Sequence, residues 1–199
     1  MKNALSLVSV YLLFSLINPV FYAVTVNNPS GDEKFKDFTL KDYNGKEYSL
    51  SDFKDAKAIV IMFIATQCPV SNAYNSRMAD LYNHYKEKKI AFIGINSNKQ
   101  ESVQEIKKHA KENKLEFVIL KDEGNIIADK FDASVTPEVY VLNSSDFSLL
   151  YHGRIDDSRD PDEVTNKDLA IALDQILNGK EVTKKRTKAF GCTIKRVQD

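Results

Sequence analysis

Cysteine is scarce in this chain: Cys68 and Cys192 are the only two, and histidine adds just His84, His109 and His152. Two cysteines far apart, with no clustered histidines, make a poor zinc site, so no metal and no other cofactor is expected. Each histidine reads as a surface or half-buried residue. An excess of one charge is also missing. The 28 Lys and Arg balance the 28 Asp and Glu, which leaves no basic surplus to neutralise phosphates and argues against a nucleic-acid partner. Seven glycines and five prolines in 199 residues are too few for a disordered chain. Tryptophan is absent, and internal repeats are absent too. What is present is ordinary for a globular protein: 43% hydrophobic residues, enough to build one core.

Charge is missing altogether from residues 4–24, which follow Lys2. A short positive segment before an apolar run has the form of a secretory signal peptide, with Tyr22-Ala23 as a cleavage point. The run is also about the ~20 residues that span a bilayer, so an uncleaved anchor is the alternative. Both place the folded part outside the cytoplasm, periplasmic or secreted, and touch a membrane only through this segment. Residues 25–34 read as a linker, residues 35–180 as the folded domain, and residues 181–199 as a tail carrying Cys192 and the basic run Lys184-Lys185-Arg186, which reads as solvated.

Periodicity orders the domain. A short strand at Phe38-Thr39-Leu40 meets Asn44-Gly45, a type I′ hairpin signal, and Glu47 to Leu50 pairs back. Ser51-Asp52-Phe53 starts a short helical turn. Ala58 to Ala65 is an unbroken apolar run, the pattern of a strand buried on both faces. One helix is predicted from Pro69 to near Lys88, with Val70, Tyr74, Met78, Leu81 and Tyr85 on one face. A second buried strand, Ile90 to Asn96, precedes an amphipathic helix from Ser102 to Asn113. A strand at Phe117 to Leu120, a short helix from Asn125 to Phe131, and a hairpin of Val139 to Leu142 with Leu149 to Ile155 follow. Thr165-x-x-Asp168 resembles a capping box opening a helix from Leu169 to Leu177 that Gly179 closes. Strands alternating with helices, then a late hairpin, specify an α/β fold with a central mixed sheet flanked by helices and an N-terminal hairpin extension.

Cys68 falls where the first buried strand gives way to a helix. Backbone N–H groups at a helix start favour an anion, and the thiolate is the reactive form of cysteine. Pro69 suits the first helical turn, where its missing N–H costs nothing. A cysteine so placed is also a common small core residue, so the junction alone leaves packing and redox chemistry both open.

Three pieces of the chain together resemble the thioredoxin fold of the redoxin and peroxiredoxin-like family. They are the buried strand leading into Cys68-Pro69-Val70-Ser71, the segment Val135-Thr136-Pro137, and the run Tyr151 to Ser158 with the closing Gly191-Cys192-Thr193-Ile194-Lys195. The likeness covers nearly the whole chain beyond the linker, and its last piece resembles a subgroup of thioredoxin-like or peroxiredoxin-like proteins and thiol–disulfide oxidoreductases. It implies that Thr66, Gln67, Pro69 and Ser71 form an active-site loop with Cys68. It also implies that Thr136-Pro137 is a cis-proline loop facing that cysteine. Departures accompany it: Ser71 stands where thioredoxins have their second cysteine, and Gln67 where they have tryptophan. Ala65 and Ile61 occupy places where peroxiredoxins need Thr or Ser and Pro.

The resemblance implies thiols and disulfides, small or protein-borne, as substrates, and a reducing partner protein. It implies that Cys68 is the nucleophile that forms a mixed disulfide. Ser71 cannot resolve it, which leaves an external thiol or Cys192 swinging in from the tail, with Gly191 easing the approach. Arg77 and Arg154 are candidate cations beside a thiolate, and Arg154 is alternatively an ion-pair partner of Asp156 or Asp157. Two other functions stay open: a peroxiredoxin-like thiol peroxidase, and a non-catalytic binding protein in which Cys68–Cys192 is a structural staple.

Overall fold

The computed structural model describes residues 33–197; the stretch 4–24 and all but the end of the linker lie outside the described residues. Seven strands form the main sheet: β1 (Thr39–Asp42), β2 (Glu47–Ser49), β3 (Ala58–Phe63), β4 (Ile90–Asn96), β5 (Val118–Lys121), β7 (Glu138–Asn143) and β8 (Leu149–Gly153). Their order is β2-β1-β5-β4-β3-β7-β8. β3, β4 and β5 run parallel, while β7 joins β3 antiparallel and β8 joins β7 antiparallel. β6 (Val135–Thr136) and β9 (Cys192–Thr193) make a separate two-stranded antiparallel sheet. The mixed sheet flanked by helices is the architecture expected of a thioredoxin-like fold.

β3 shows why the apolar run is unbroken. All six residues are buried, and they alternate between two cores. Ala58, Val60 and Met62 pack with Met78, Tyr85, Ile106, Leu169 and Leu173. Ile59, Ile61 and Phe63 pack with Ile127, Phe131 and Tyr140. A strand with helices on both faces needs apolar residues at every position. Fully burying each large side chain contributes about 1.5–3 kcal/mol, so β3 is fixed in place before its C-terminal end reaches Cys68.

The helices are α1 (Pro69–Ala73), α2 (Asn75–Tyr85), α3 (Val103–Glu112), α4 (Ile126–Lys130) and α5 (Asp168–Leu177). α3 starts as its sequence predicts, with a reciprocal capping box between Ser102 and Glu105. Four local expectations are corrected. The Asn44-Gly45 hairpin does not use a type I′ turn. Asn44 keeps negative φ, and only Gly45 is left-handed, at φ 84°. The Asp42 carboxylate there accepts the Asn44 and Lys46 N–H groups at 2.8 and 2.9 Å. The long helix after Pro69 breaks at Tyr74 (φ −98°, ψ −3°), whose hydroxyl donates to the Ser158 carbonyl at 2.8 Å. The return strand ends at Gly153, short of Ile155. The capping box at Thr165 does not form, because Thr165 is drawn to Asp157 and Asp168 to Arg154 and Lys184.

The basic run of the tail is exposed, as expected, and it also makes ion pairs: Lys184 with Asp168, Lys185 with Glu181, and Arg186 with Glu33. His152 N–H bonds to the Lys185 carbonyl, and Thr187 N–H bonds to the His152 carbonyl, both at 2.9 Å. Gly153, at φ 151°, makes room for this strand-like crossing, since a Cβ there would collide with Thr187.

Gly94 sits in β4 between Met62 and Ile119. A Cβ there would lie 2.9 Å from Ile64 Cδ1 and 3.0 Å from Phe117 Cε2. We expect Gly94→Val to destabilise the fold by about 1–3 kcal/mol through overpacking, read as a lower urea midpoint with an unchanged slope.

Candidate active site

Beyond β3, Ile64 still donates to the Ile95 carbonyl at 2.9 Å, and then the chain turns. Cys68 occupies the N-cap of α1 in extended conformation, with Pro69 at the first helical position. Its side chain is buried, with 5% of the residue exposed. The Ser71 N–H points at Cys68 Sγ from 3.3 Å. The Ser71 hydroxyl is used elsewhere, accepting the Ala65 N–H at 3.2 Å. Asn72 donates its amide to the Thr66 carbonyl at 2.9 Å, and Gln67 reaches Glu105 at 3.2 Å. The Thr66 hydroxyl is buried with no partner among the described residues.

On the far side, the Thr136–Pro137 peptide is cis, and the Thr136 carbonyl oxygen lies 3.4 Å from Cys68 Sγ. β9 runs antiparallel to β6 and sets Cys192 opposite Thr136. Cys68 and Cys192 are joined in a disulfide, with Cα atoms 5.9 Å apart across 124 positions of sequence. Gly191 makes the approach possible, because a Cβ there would collide with the Thr136 carbonyl.

The tail is held by more than sulfur. Ile194 donates to the Ser134 carbonyl at 2.9 Å and buries its side chain in the Phe63–Phe131 core. Lys195 N–H bonds to Asn98 Oδ1 at 2.8 Å, and Val197 N–H to Asn125 Oδ1 at 2.7 Å. Arg196 reaches Asp129 and the Ala133 carbonyl.

Two buried carboxylates frame the site, and neither stood out in the sequence. Glu101, 2% exposed, accepts the N–H groups of Thr66 and Gln67 at 2.6 and 3.1 Å, and the Asn96 amide at 2.6 Å. It fixes the loop before Cys68. Glu138 accepts the Ser134 and Val135 N–H groups at 2.8 and 3.1 Å and fixes the loop that carries Thr136. Its other oxygen takes the Tyr140 hydroxyl and His152 Nε2. Arg186 can only donate, so His152 Nδ1 accepts from it at 3.0 Å and Nε2 carries the proton toward Glu138. Burial alone would raise the Glu138 pKa, but hydrogen bonds from His152, Ser134 and Val135 outweigh it and hold the carboxyl below its usual range. The polar run Asn96-Ser97-Asn98 at the end of a buried strand was a legible signal, because loops at the carboxyl ends of parallel strands line ligand crevices.

Neither candidate cation is bonded to the sulfurs. Arg77 grips Asp156 through both carboxylate oxygens at 2.8 and 2.7 Å and stacks on Tyr74. Arg154 pairs with Asp168 at 2.7 Å, not with Asp156 or Asp157. These pairs brace α2 and α5 against the 153–160 segment. The cleft beside the disulfide has a volume of about 270 Å³ and is lined by Gln67, Cys68, Glu101, Thr136, Cys192 and Lys195 among others. The arrangement can cycle between a disulfide and a dithiol whose sulfurs are already juxtaposed.

The AhpC/TSA family matches residues 32–147, a segment that holds Cys68 and Pro137 and stops short of Cys192. Peroxiredoxin Q of Sedum lineare is 31% identical over 134 residues, 63% of this chain and 70% of that protein. The chain spans only 62% of its counterpart from Populus jackii, also 31% identical over 63% of this chain. Thiol-disulfide oxidoreductase ResA of Bacillus subtilis is 26% identical over 65% of this chain and 70% of its own length. Among solved structures, an uncharacterized conserved protein from Geobacillus kaustophilus superposes with a TM-score of 0.79 at 34% identity, covering 84% of this chain and 93% of that one. A hypothetical protein from Sinorhizobium meliloti 1021 gives 0.79 at 30% identity, with 84% and 95% covered.

Two outcomes follow from the geometry. A carboxyl whose pKa is depressed by folding stabilises the fold fully above its unfolded pKa, about 4.3, and loses that contribution as pH falls through the folded value. Urea unfolding should therefore show Glu138→Gln less stable than the parent near neutrality, with the gap closing as pH drops below about 4. Gly191→Val should keep the tail strand from seating, and thiol titration of the unreduced, denatured protein should then detect free cysteine where the parent has none.

Proposed function

This chain belongs to the AhpC/TSA family, and from that premise we propose that it is a thiol–disulfide oxidoreductase with Cys68 as nucleophile and Cys192 as resolving thiol. The observation that carries the proposal is the Cys68–Cys192 bond closed opposite the Thr136–Pro137 loop. In the reduced protein the Ser71 N–H stabilises a Cys68 thiolate. That thiolate attacks one sulfur of a substrate disulfide, forming a mixed disulfide and expelling the other sulfur as a thiolate. The Cys192 thiolate then attacks Cys68 Sγ, releases the second substrate thiol and leaves the internal bond. Ser71 cannot take this part, since it is fully buried and its hydroxyl is bonded to Ala65. Thr66, Gln67 and Pro69 shape the loop, and Thr136 presents its backbone across the cleft. The substrates are thiols and disulfides, small or protein-borne, and a reducing protein partner restores the dithiol.

A peroxide substrate is the second candidate, favoured by the 31% identity to proteins named peroxiredoxin Q. Cys68 would then take one oxygen to become a sulfenic acid, and Cys192 would displace water from it to form the same disulfide. Ala65 and Ile61, where peroxiredoxins carry hydroxyl and proline residues, weigh against it.

We further propose export, on the strength of residues 4–24; a disulfide persists in such a compartment. Among the described residues no helix is long and apolar enough to cross a membrane.

Cys68→Ser should abolish insulin reduction, and Cys192→Ser should start the reaction but accumulate a mixed disulfide on Cys68, seen by mass spectrometry under non-reducing conditions. Turnover by Cys68→Ser at the parent's rate would overturn the assignment. Consumption of peroxide by the reduced parent, without insulin reduction, would select the peroxidase.

A further inference from the structure

A second cleft, away from the disulfide, is lined by residues of only two kinds. Lys34, Lys36 and Lys130 surround it together with Phe35, Phe38 and Phe131, and it holds about 300 Å³. The Phe35 N–H bonds to the Phe147 carbonyl at 3.1 Å, and the Phe35 ring stacks on Phe131, with centroids 4.0 Å and planes 9° apart. Phe38 meets the same Phe131 ring edge-on at 6.0 Å. Phe38 and Phe131 are buried, Phe35 is half-buried and the three lysines are exposed. The result is an aromatic hollow with ammonium groups at its mouth.

The charge lining this hollow has one sign. Lys34 is paired with Asp146 at 2.7 Å, but among the described residues Lys36 and Lys130 stand in no ion pair. Nearby acids do not neutralise them. Glu33 pairs with Arg186 and Asp129 with Arg196. Asp37 accepts the Ser51 N–H at 3.3 Å, and Asp132 does not line the cleft. An ammonium beside a low-dielectric wall attracts an anion more strongly than one in open water. The volume falls at the small end of ligand sites and has room for one ring with a short chain. By contrast, the larger cleft between α2 and α5 mixes Asp80, Asp156 and Asp174 with Arg77 and Lys167, so it selects neither sign.

We propose that the lysine-rimmed hollow binds a small aromatic carboxylate. The ring enters against Phe35 and Phe38, where offset and edge contacts between aromatic rings are favourable. The carboxylate stays at the mouth and accepts hydrogen bonds from the Lys36 and Lys130 ammonium groups. A neutral ring would leave both cations unpaired, and a small inorganic anion would leave the aromatic wall wet. No bond is made or broken, and the site stands independently of the redox function proposed above.

The test titrates the full ¹⁵N-labelled chain with three probes that share one body: 3-phenylpropionate, 3-phenylpropan-1-ol and 3-phenylpropylamine. Amide shifts locate binding residue by residue. The carboxylate should move the signals of residues 34–38 and 130–131 saturably, on the order of tenfold more tightly than the alcohol, and the amine should bind more weakly than either. Equal binding of the three probes, shifts confined to other residues, or no saturable shift with the carboxylate would each overturn the proposal. Lys36→Gln combined with Lys130→Gln should bring the carboxylate to the level of the alcohol, and a preference that survives would overturn the assignment. A check on the unaltered chain is salt: at about 1 M, where the screening length is about 3 Å, the preference should largely vanish, and an unchanged preference would refute it.

Discussion

The candidate site depends on how closely one strand of backbone can lie against another. Gly191 rests on the Thr136 carbonyl with no space for a Cβ, and that contact sets the register in which Cys192 opposes Thr136. A disulfide tolerates only a narrow range of Cα separations, and here 5.9 Å is reached across 124 residues. Closing so long a loop removes several kcal/mol of unfolded-state entropy in the chain-entropy model, about 4–5 for a loop of this order. The same bond therefore stabilises the fold when oxidised and withdraws that support when reduced.

The disulfide is not the tail's only tie. The hydrogen bonds of Ile194, Lys195 and Val197 to Ser134, Asn98 and Asn125 involve neither sulfur, and Ile194 lies in a hydrophobic core. The two sulfurs are thus brought together by the fold rather than by a local sequence motif. This is the tertiary equivalent of two cysteines on one helical turn, and it raises the effective concentration of one thiol at the other. It also lets the cysteines differ in exposure and hydrogen bonding, which a short motif constrains far more.

Buried carboxylates do the positioning. Glu101 and Glu138 each gather two backbone N–H groups from a loop flanking the disulfide. Buried charge persists only where such donors compensate it. Arg77 with Asp156 and Arg154 with Asp168 play the corresponding role farther out, tying α2 and α5 to the segment after β8. Exposed pairs such as Lys108 with Glu112 contribute little by comparison.

Much of the layer order was legible because periodicity is local. The unbroken run at β3, the capped helix α3 and the hairpin β7–β8 each follow from residues within a few positions of one another. The break at Tyr74, the turn at Asn44 and the ion-pair partners of the basic tail were not, because distant or neighbouring groups decided them: the Ser158 carbonyl for Tyr74, Asp42 for Asn44, and Asp168 for Lys184. Arg77 and Arg154 were legible as cations but not as partners, since a charge does not name its counterion. Sequence alone determined that a cysteine would stand where a buried strand meets a helix, because apolar run length and Pro69 are written along one stretch of chain. Only tertiary structure decided which sulfur it meets, which carboxylates hold its loop and which face is open, because those depend on contacts between segments a hundred residues apart.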